Sequence, residues 1–122
     1  MNNEQLFEEI ASGFDSYSLF ARFHNESGIT LEAMQAWRSS DGLDPETGEE
    51  LRLDGVAATD VLNGGFGGAE GLWTLPGAEI IFFEGRVVGD LYDGVVVHPE
   101  KVVARMTTHE FDRFYDWYCN ER

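Results

Sequence analysis

Apolar side chains near the N-terminus recur at the spacing of one helical face, and this pattern predicts a helix over residues 3–12. The side chains expected on its buried face are Leu6, Phe7, Ile10 and Phe14. The opposite face is acidic and carries Glu4, Glu8 and Glu9. Gly13 is expected to end the helix, because glycine readily adopts the left-handed conformation that follows many helix C-termini.

The C-terminal segment combines a helix start signal with an aromatic stripe. Thr107 and Glu110 have the spacing of a capping box, which stabilises a helix start by about 1 kcal/mol. The stripe that follows consists of Phe111, Phe114, Tyr115 and Tyr118. Trp117 falls beside this stripe, so we expect it to be exposed and to form a contact between copies of the chain.

Alternation of apolar and polar residues predicts β-strands through the middle of the chain. Residues 17–24 alternate except at Phe20, which is expected as an extra apolar residue on the polar side. Residues 29–38 fit both a helix and a strand, and the short turn before them favours a strand paired with 17–24. The remaining predicted strands cover residues 50–53, 58–62, 70–75, 78–84, 86–92 and 94–97.

Turn residues and one apolar run refine this picture. Glu84-Gly85 is expected to form a tight turn between two of the strands. Pro45 and Gly48 favour turns within the acidic stretch DGLDPETGEELRL, which is expected to be an exposed loop leading into a short strand. The valines at 95–97 are too apolar for a half-exposed strand and are expected to be buried on both faces.

A single α+β domain over residues 1–122 follows from this order of elements. We expect a bent, mostly antiparallel sheet packed by an N-terminal and a C-terminal helix. A doubly wound parallel sheet is not expected, because strands and helices do not alternate. The length of 122 residues and the hydrophobic fraction of 43% suffice for one core.

The charge is strongly acidic, with 23 Asp and Glu against 8 Lys and Arg and a net charge of -15. Direct binding to nucleic acid or to an anionic membrane is therefore not expected, because no basic surface is available to replace counterions. Two explanations stay open: acidic residues that keep the protein soluble, and an acidic face that docks on a basic protein partner. We find neither a signal peptide nor an apolar run of about 18 residues, so a cytoplasmic location is expected.

The glycine-rich stretch LNGGFGGAEGLW, residues 62–73, is the most motif-like part of the chain. It lacks the third glycine of a dinucleotide-binding loop, since position 70 is Glu, and no lysine follows as a phosphate-binding loop requires. We therefore expect no nucleotide cofactor and interpret the stretch as a bend in the sheet that opens a pocket. The residues expected to line the pocket are Trp73, Phe82, Asp90 and Tyr92.

Acid–base chemistry has one candidate location. Asp90 and Asp93 lie near a strand end, with Tyr92 beside them and His98 shortly after, which suits contact with a small ligand and, as an alternative, catalysis by the carboxylate pair. Cys119 and His109 would stand about 15 Å apart on one helix, too far for a nucleophile and its base. No metal site is expected, because the sequence shows no ligand set with suitable spacing.

Residues 62–94 resemble a small uncharacterised bacterial α+β domain family. Members carry an E-V-V-W…G-x-P-V-W-x-M-N-Y-x-G hairpin preceded by a Phe-Gly-Gly element. The matching positions here are Phe66, Gly67, Gly68, Glu79, Gly85, Tyr92 and Gly94, whereas the family's tryptophans, proline and Met-Asn are absent. The resemblance implies an α+β fold and assigns no activity.

The leading functional interpretation is a non-catalytic accessory protein that works by binding, in one version as an acidic inhibitor whose carboxylates imitate phosphates on a basic partner. The first alternative is a small-molecule-binding domain with its pocket near the glycine-rich bend. The second alternative is a small enzyme that uses Asp90 and Asp93. We also expect a homo-oligomer, with a dimer favoured, because many strand edges need cover.

Overall fold

A computed structural model of the chain describes residues 3–24, 27–60, 77–91 and 94–120. The prediction of a small α+β domain is confirmed, with a mostly antiparallel sheet flanked by helices at both ends of the chain. Its elements are α1 (Asn3–Asp15), β1 (Phe20–His24), α2 (Leu31–Gln35), β2 (Arg38–Leu43), β3 (Glu50–Asp54), β4 (Val56–Ala58), β5 (Glu79–Leu91), β6 (Gly94–Thr107) and α3 (Thr108–Asn120).

The main sheet has the strand order β1-β5-β6-β4, and every pairing in it is antiparallel. Just beyond β4, Thr59 bridges to Ala21 of β1 through two backbone hydrogen bonds of 3.0 and 2.9 Å. The two edges of the sheet therefore meet, which requires strong curvature. The sheet is therefore bent, as the sequence predicts, whereas the glycine-rich stretch expected to form the bend lies outside the described residues.

Two hydrophobic cores lie on opposite faces of this sheet. The first is formed with α1 and α3 and contains Ile10, Ala11, Phe14, Leu19, Ala21, Ile80, Phe82, Met106, Phe111, Phe114 and Trp117. The second draws on all four strands and on α2, and contains Phe20, Met34, Val56, Ile81, Phe83, Val95 and Val97. The run Val95 to Val97 is buried throughout, as predicted.

Strand β1 serves both cores. Ala21 packs in the first core and Phe20 in the second, where Phe20 stands opposite Phe83 in the register and keeps 5% of its surface exposed. The prediction that Phe20 lies on a polar side is wrong, because both faces of this strand are covered. The strand is also shorter than the predicted 17–24.

Helix α2 replaces the strand that was favoured for residues 29–38, and that prediction is wrong. Thr30 caps the helix, because its hydroxyl oxygen accepts a hydrogen bond of 3.0 Å from the amide of Ala33. Met34 anchors the helix in the second core and is fully buried. The partner of β1 is β5 and not the 29–38 segment.

The expected turn at Glu84-Gly85 is absent, because β5 continues through it as one strand of 13 residues. Gly85 stands opposite Pro99 at an irregularity in the register. A Cβ atom at Gly85 would overlap the backbone carbonyl of His98, so this glycine permits close approach of the partner strand. Helix α1 likewise runs past Gly13 to Asp15, and the end predicted at Gly13 is wrong.

The start of α3 confirms the capping box. The Thr107 amide donates to Glu110 Oε1 at 3.0 Å, and the Glu110 amide donates to Thr107 Oγ1 at 3.1 Å. The strand predicted at 70–75 lies outside the described residues. Within the described part of the chain, no helix has the length and apolar character needed to cross a membrane.

Candidate functional site

The residues predicted to line a ligand pocket are not gathered in the described part of the chain. Phe82 is fully buried in the first core, where its ring meets Phe14 and Phe114 edge-on, so the prediction that it lines an open pocket is wrong. Asp90 is exposed and stands opposite Val95, which places it about 10 Å along the hairpin from His98. Trp73, Tyr92 and Asp93 lie outside the described residues, as does the glycine-rich stretch 62–73.

Trp117 lies inside the protein, and the expectation that it is exposed is wrong. Only 8% of its surface is accessible. Its ring lies 5.5 Å from the ring of Phe7 and 6.1 Å from that of Phe114. Trp117 therefore joins α3 to α1 within one chain and is not available as an exposed contact between copies.

A hairpin at the surface forms a sheet of its own. We call residues 38–54 the acidic arm: strand β2, the connecting loop and strand β3. The two strands pair from Arg38 opposite Asp54 to Leu43 opposite Glu50, with an irregular register between Ser40 and Leu43. In the described structure β2 and β3 pair only with each other.

The tip of the arm is a tightly bonded acidic turn, as the sequence predicted. The Gly48 amide donates to the Asp44 carbonyl at 2.8 Å, and Gly48 takes a φ of +74°, which suits glycine. The Glu46 amide donates to the Asp44 carboxylate at 2.8 Å. These bonds hold the exposed carboxylates of Glu46 and Glu49 on an ordered loop.

Apolar side chains are also exposed on and beside the arm. Leu43 has 67% of its surface accessible, Leu51 40%, and Trp37, directly before β2, 44%. Only two other large apolar side chains in the described residues are exposed, Tyr17 and Val87. Leu43 pairs with Glu50 and shares its face of the hairpin, whereas Leu51 alternates to the other face. Both leucines are exposed beside carboxylates on one element, which makes the arm a candidate contact surface.

The base of the arm is fastened to the main sheet at a corner. Gly55 connects β3 to β4, and a Cβ atom there would overlap the backbone of Val97. Its carbonyl accepts a hydrogen bond of 2.7 Å from Ser39 Oγ. Leu53 packs on Gly89 of β5 so closely that a Cβ atom at Gly89 would overlap it.

Charged groups add to this attachment. Asp54 Oδ1 lies 2.7 Å from Arg38 Nη1 and 3.3 Å from His98 Nδ1. His98, which was predicted to contact a ligand, thus faces the arm from β6. Asp54 at the end of the arm therefore lies beside a residue of the main sheet.

Arg22 contacts the exposed ring of Trp37, the residue directly before the arm. Burial disfavours the charged guanidinium and lowers the pKa of Arg22. Its Nη1 donates to the Ala57 carbonyl at 2.9 Å, and its Cζ lies 5.5 Å from the centre of the Trp37 ring. This cation–π contact orients Trp37 while leaving almost half of that side chain accessible.

Carboxylates elsewhere are distributed over the helices. Glu8 and Glu9 are exposed on α1, and Asp112 and Asp116 on α3. His109 shares the α3 surface, and no group of three or more potential metal ligands converges among the described residues. The acidic charge therefore extends beyond the arm.

Sequence reasoning anticipated the acidic turn but missed the arm as a structural element. The sequence predicts a loop before the strand at 50–53, and it does not indicate that this strand pairs with residues 38–43 in an exposed hairpin. The available signal was a turn sequence with proline and glycine placed between two short segments that could pair. No signal in the sequence indicated that Asp54 and His98 would meet.

Comparison with known proteins finds no matching family, no matching curated protein and no matching solved structure. The resemblance of residues 62–94 to an uncharacterised bacterial family stays a prediction.

Proposed function

We propose that this chain is a non-catalytic binding protein that docks on a basic surface of a partner protein through the acidic arm. The observation that carries the proposal is the coincidence, on one hairpin, of exposed leucines and an ordered acidic tip. Protein interfaces typically combine an apolar centre that loses its water with a charged rim. Leu43 and Leu51 supply the apolar part, and Glu46 and Glu49 supply the charge.

Each part of the arm would contribute differently to docking. Covering Leu43, which is two-thirds exposed, would stabilise a complex by about 1–2 kcal/mol from removal of apolar surface from water. The carboxylates would contribute mainly to the association rate and to the choice of a basic partner. The net charge of -15 extends this attraction over the whole chain and repels nucleic acids and anionic lipids.

The wide distribution of carboxylates shapes the proposal. An inhibitor that imitates a nucleic-acid backbone would need its carboxylates gathered along one face, whereas here α1 and α3 carry them as well. We therefore propose a basic protein surface as the binding target, without assigning it a phosphate-binding role.

The test compares two charge variants with equal net charge. The first removes two carboxylates from the tip (Glu46→Gln with Glu49→Gln), and the second removes two from α1 (Glu8→Gln with Glu9→Gln). Proteins retained from lysate by the wild-type chain at low salt are identified, purified and titrated against each variant by calorimetry. We expect the tip variant to weaken binding severalfold and the α1 variant to leave it nearly unchanged.

A second comparison addresses the apolar part. Leu43→Ser with Leu51→Ser is expected to weaken the same complex at least tenfold, and Val87→Ser, at an exposed valine of β5, serves as the control. If the tip and α1 variants weakened binding equally, the binding would be explained by the net charge of the whole chain and not by the arm. Binding that survives in the leucine variant would contradict docking through the arm.

A further inference from the structure

A cleft lies between the C-terminal half of α1 and the hairpin of β5 and β6. Its volume is about 300 Å³, at the lower end of the range of about 300–1,000 Å³ that is typical of ligand sites. One wall is formed by α1 and the turn that follows it, and the other by neighbouring residues of β5 and β6. None of the described lining residues belongs to the acidic arm, so the cleft is separate from the proposed docking surface.

The bottom of the cleft is apolar. Leu19 closes it, with only 3% of its surface accessible, and Val103 of β6 lies partly buried beside it. Gly13 allows α1 to approach, because a Cβ atom at this position would lie 2.8 Å from the Cβ atom of Leu19. A ligand can therefore place a short hydrocarbon chain along this side of the cleft.

The hydroxyl groups on the helix wall can accept hydrogen bonds but have no hydrogen left to donate. Ser16 Oγ lies 3.0 Å from the carbonyl oxygen of Ser12, and Ser18 Oγ lies 3.2 Å from that of Gly13. The two hydroxyl oxygens are 2.9 Å apart. Each serine has one hydroxyl hydrogen, and both hydrogens are used within the turn, whichever serine donates to the other. The remaining lone pairs suit a ligand that donates hydrogen bonds.

Tyr17, between these two serines, has an unusual backbone conformation. Its φ is +58°, in the left-handed region that residues other than glycine rarely adopt. The side chain is 77% exposed, so packing of the ring in a core does not account for the conformation. Backbone strain of this kind is concentrated at functional sites, which supports a role for the turn in binding.

The charges around the cleft favour a cation. Glu9 on α1 and Glu84 on β5 supply two carboxylates, whereas Lys101, the only lysine of the chain, supplies one ammonium group. In the described part of the chain, no ion pair engages any of these three groups. Helix α1 ends at the cleft without a basic residue in its last turn, so the partial negative charge of the helix C-terminus adds to that of the carboxylates.

We propose that this cleft binds a small aliphatic amine in its protonated form. The ammonium group donates hydrogen bonds to the serine hydroxyls and to the carboxylates of Glu9 and Glu84, and the hydrocarbon chain lies along Leu19 and Val103. Lys101 limits the affinity, because its charge repels that of the ligand. The proposal does not rest on docking through the arm.

The test titrates the wild-type protein with n-pentylamine at about pH 7, where the amine is protonated, and follows the backbone amides of Gly13, Leu19 and Val103 by NMR. The controls are 1-pentanol and pentanoate, which keep the hydrocarbon chain and remove or reverse the charge. We expect these amide shifts to saturate with the amine and to change little with either control. Shifts that do not saturate, or that pentanol reproduces, would overturn the proposal.

Two pairs of variants distinguish binding in the cleft from attraction to the net charge of -15. Glu9→Gln should weaken amine binding about twofold to fivefold, as expected for an exposed charge pair, whereas Glu8→Gln, at the preceding residue of α1, should leave it unchanged. Lys101→Gln should strengthen binding about twofold to fivefold, because it removes the opposing charge, whereas Arg113→Gln on α3 should have no effect.

Equal effects within either pair of variants, or weaker binding in Lys101→Gln, would contradict a site in the cleft. All these measurements use the isolated protein and a small amine. Their outcome is therefore independent of whether a partner protein docks on the arm.

Discussion

Replacing Trp117 with alanine separates two roles that a tryptophan on a terminal helix can have. A core role predicts that the isolated chain loses stability. A contact between copies predicts that only self-association is lost. The structure favours the core role, since 8% of the side chain is accessible and its ring packs between Phe7 and Phe114.

The magnitude follows from the buried surface. A tryptophan side chain buries about 150–250 Å², which at about 25 cal/mol per Å² corresponds to about 4–6 kcal/mol. Relaxation near the end of α3 would reduce this, so we expect Trp117→Ala to lower the free energy of unfolding by about 3–4 kcal/mol. Domains of this size are stable by about 5–15 kcal/mol in total, and the variant would lie close to its unfolding threshold.

Trp37→Ala is the matched control. Trp37 is 44% exposed and has a cation–π contact with Arg22, so its removal should cost about 1 kcal/mol. Urea unfolding followed by far-ultraviolet circular dichroism, at two protein concentrations tenfold apart, compares the two variants. The core assignment would be refuted if both variants lost the same free energy of unfolding. It would also be refuted if the wild type became as unstable as Trp117→Ala at the lower protein concentration, because the tryptophan would then stabilise an assembly of copies.

Three further substitutions test individual features of the fold. Thr107→Ala removes one side of the capping box and should lower the free energy of unfolding by about 1 kcal/mol, measured by urea titration, with Thr47→Ala at the arm tip as a milder comparison. Gly85→Ala should cost about 1–3 kcal/mol, because the added methyl group overlaps the His98 carbonyl; an unchanged midpoint would show that the strands separate freely there. Tyr17→Gly should raise the free energy of unfolding by up to about 1 kcal/mol and the thermal midpoint with it, because Tyr17 has a φ of +58° and is 77% exposed. A lower midpoint would mean that the tyrosine ring has a stabilising contact.

Local signals in the sequence were sufficient for the two terminal helices. The capping box at Thr107 and the apolar periodicities identify them, since both depend on residues a few positions apart. The buried face of α3 could not be placed from its own sequence. Its buried residues are Phe111, Phe114 and Trp117. Trp117 is buried because α1, a segment distant in sequence, packs on that side of α3.

Turn residues were informative only where the turn is exposed. Gly48 lies in a real turn with a positive φ, and the acidic sequence around it was interpreted correctly. Gly85 looks the same in sequence, but it lies within a long strand and is required by the approach of β6. The difference depends on pairing between strands, which is not encoded within a short window.

The candidate site depends on such distant relations even more. The sequence predicts the acidic tip, but its association with Leu43 and Leu51 requires knowledge that both leucines stay exposed in the folded hairpin. The approach of Asp54 to His98 requires the corner at Gly55. Of the ligand-lining residues predicted from the sequence, Phe82 proved to be core, because the first core lies on that face of β5.

The bridge between Ala21 and Thr59 also bears on how the chain reaches this fold. Strands β5 and β6 are consecutive and form a local hairpin. Strand β1 lies far earlier in the sequence than its partners, which are β5 and, at Ala21, Thr59. The sheet is therefore completed late, by the N-terminal part of the chain. Until β1 is in place, the edge of β5 is open to strands of other molecules, and its arrival removes that route to aggregation.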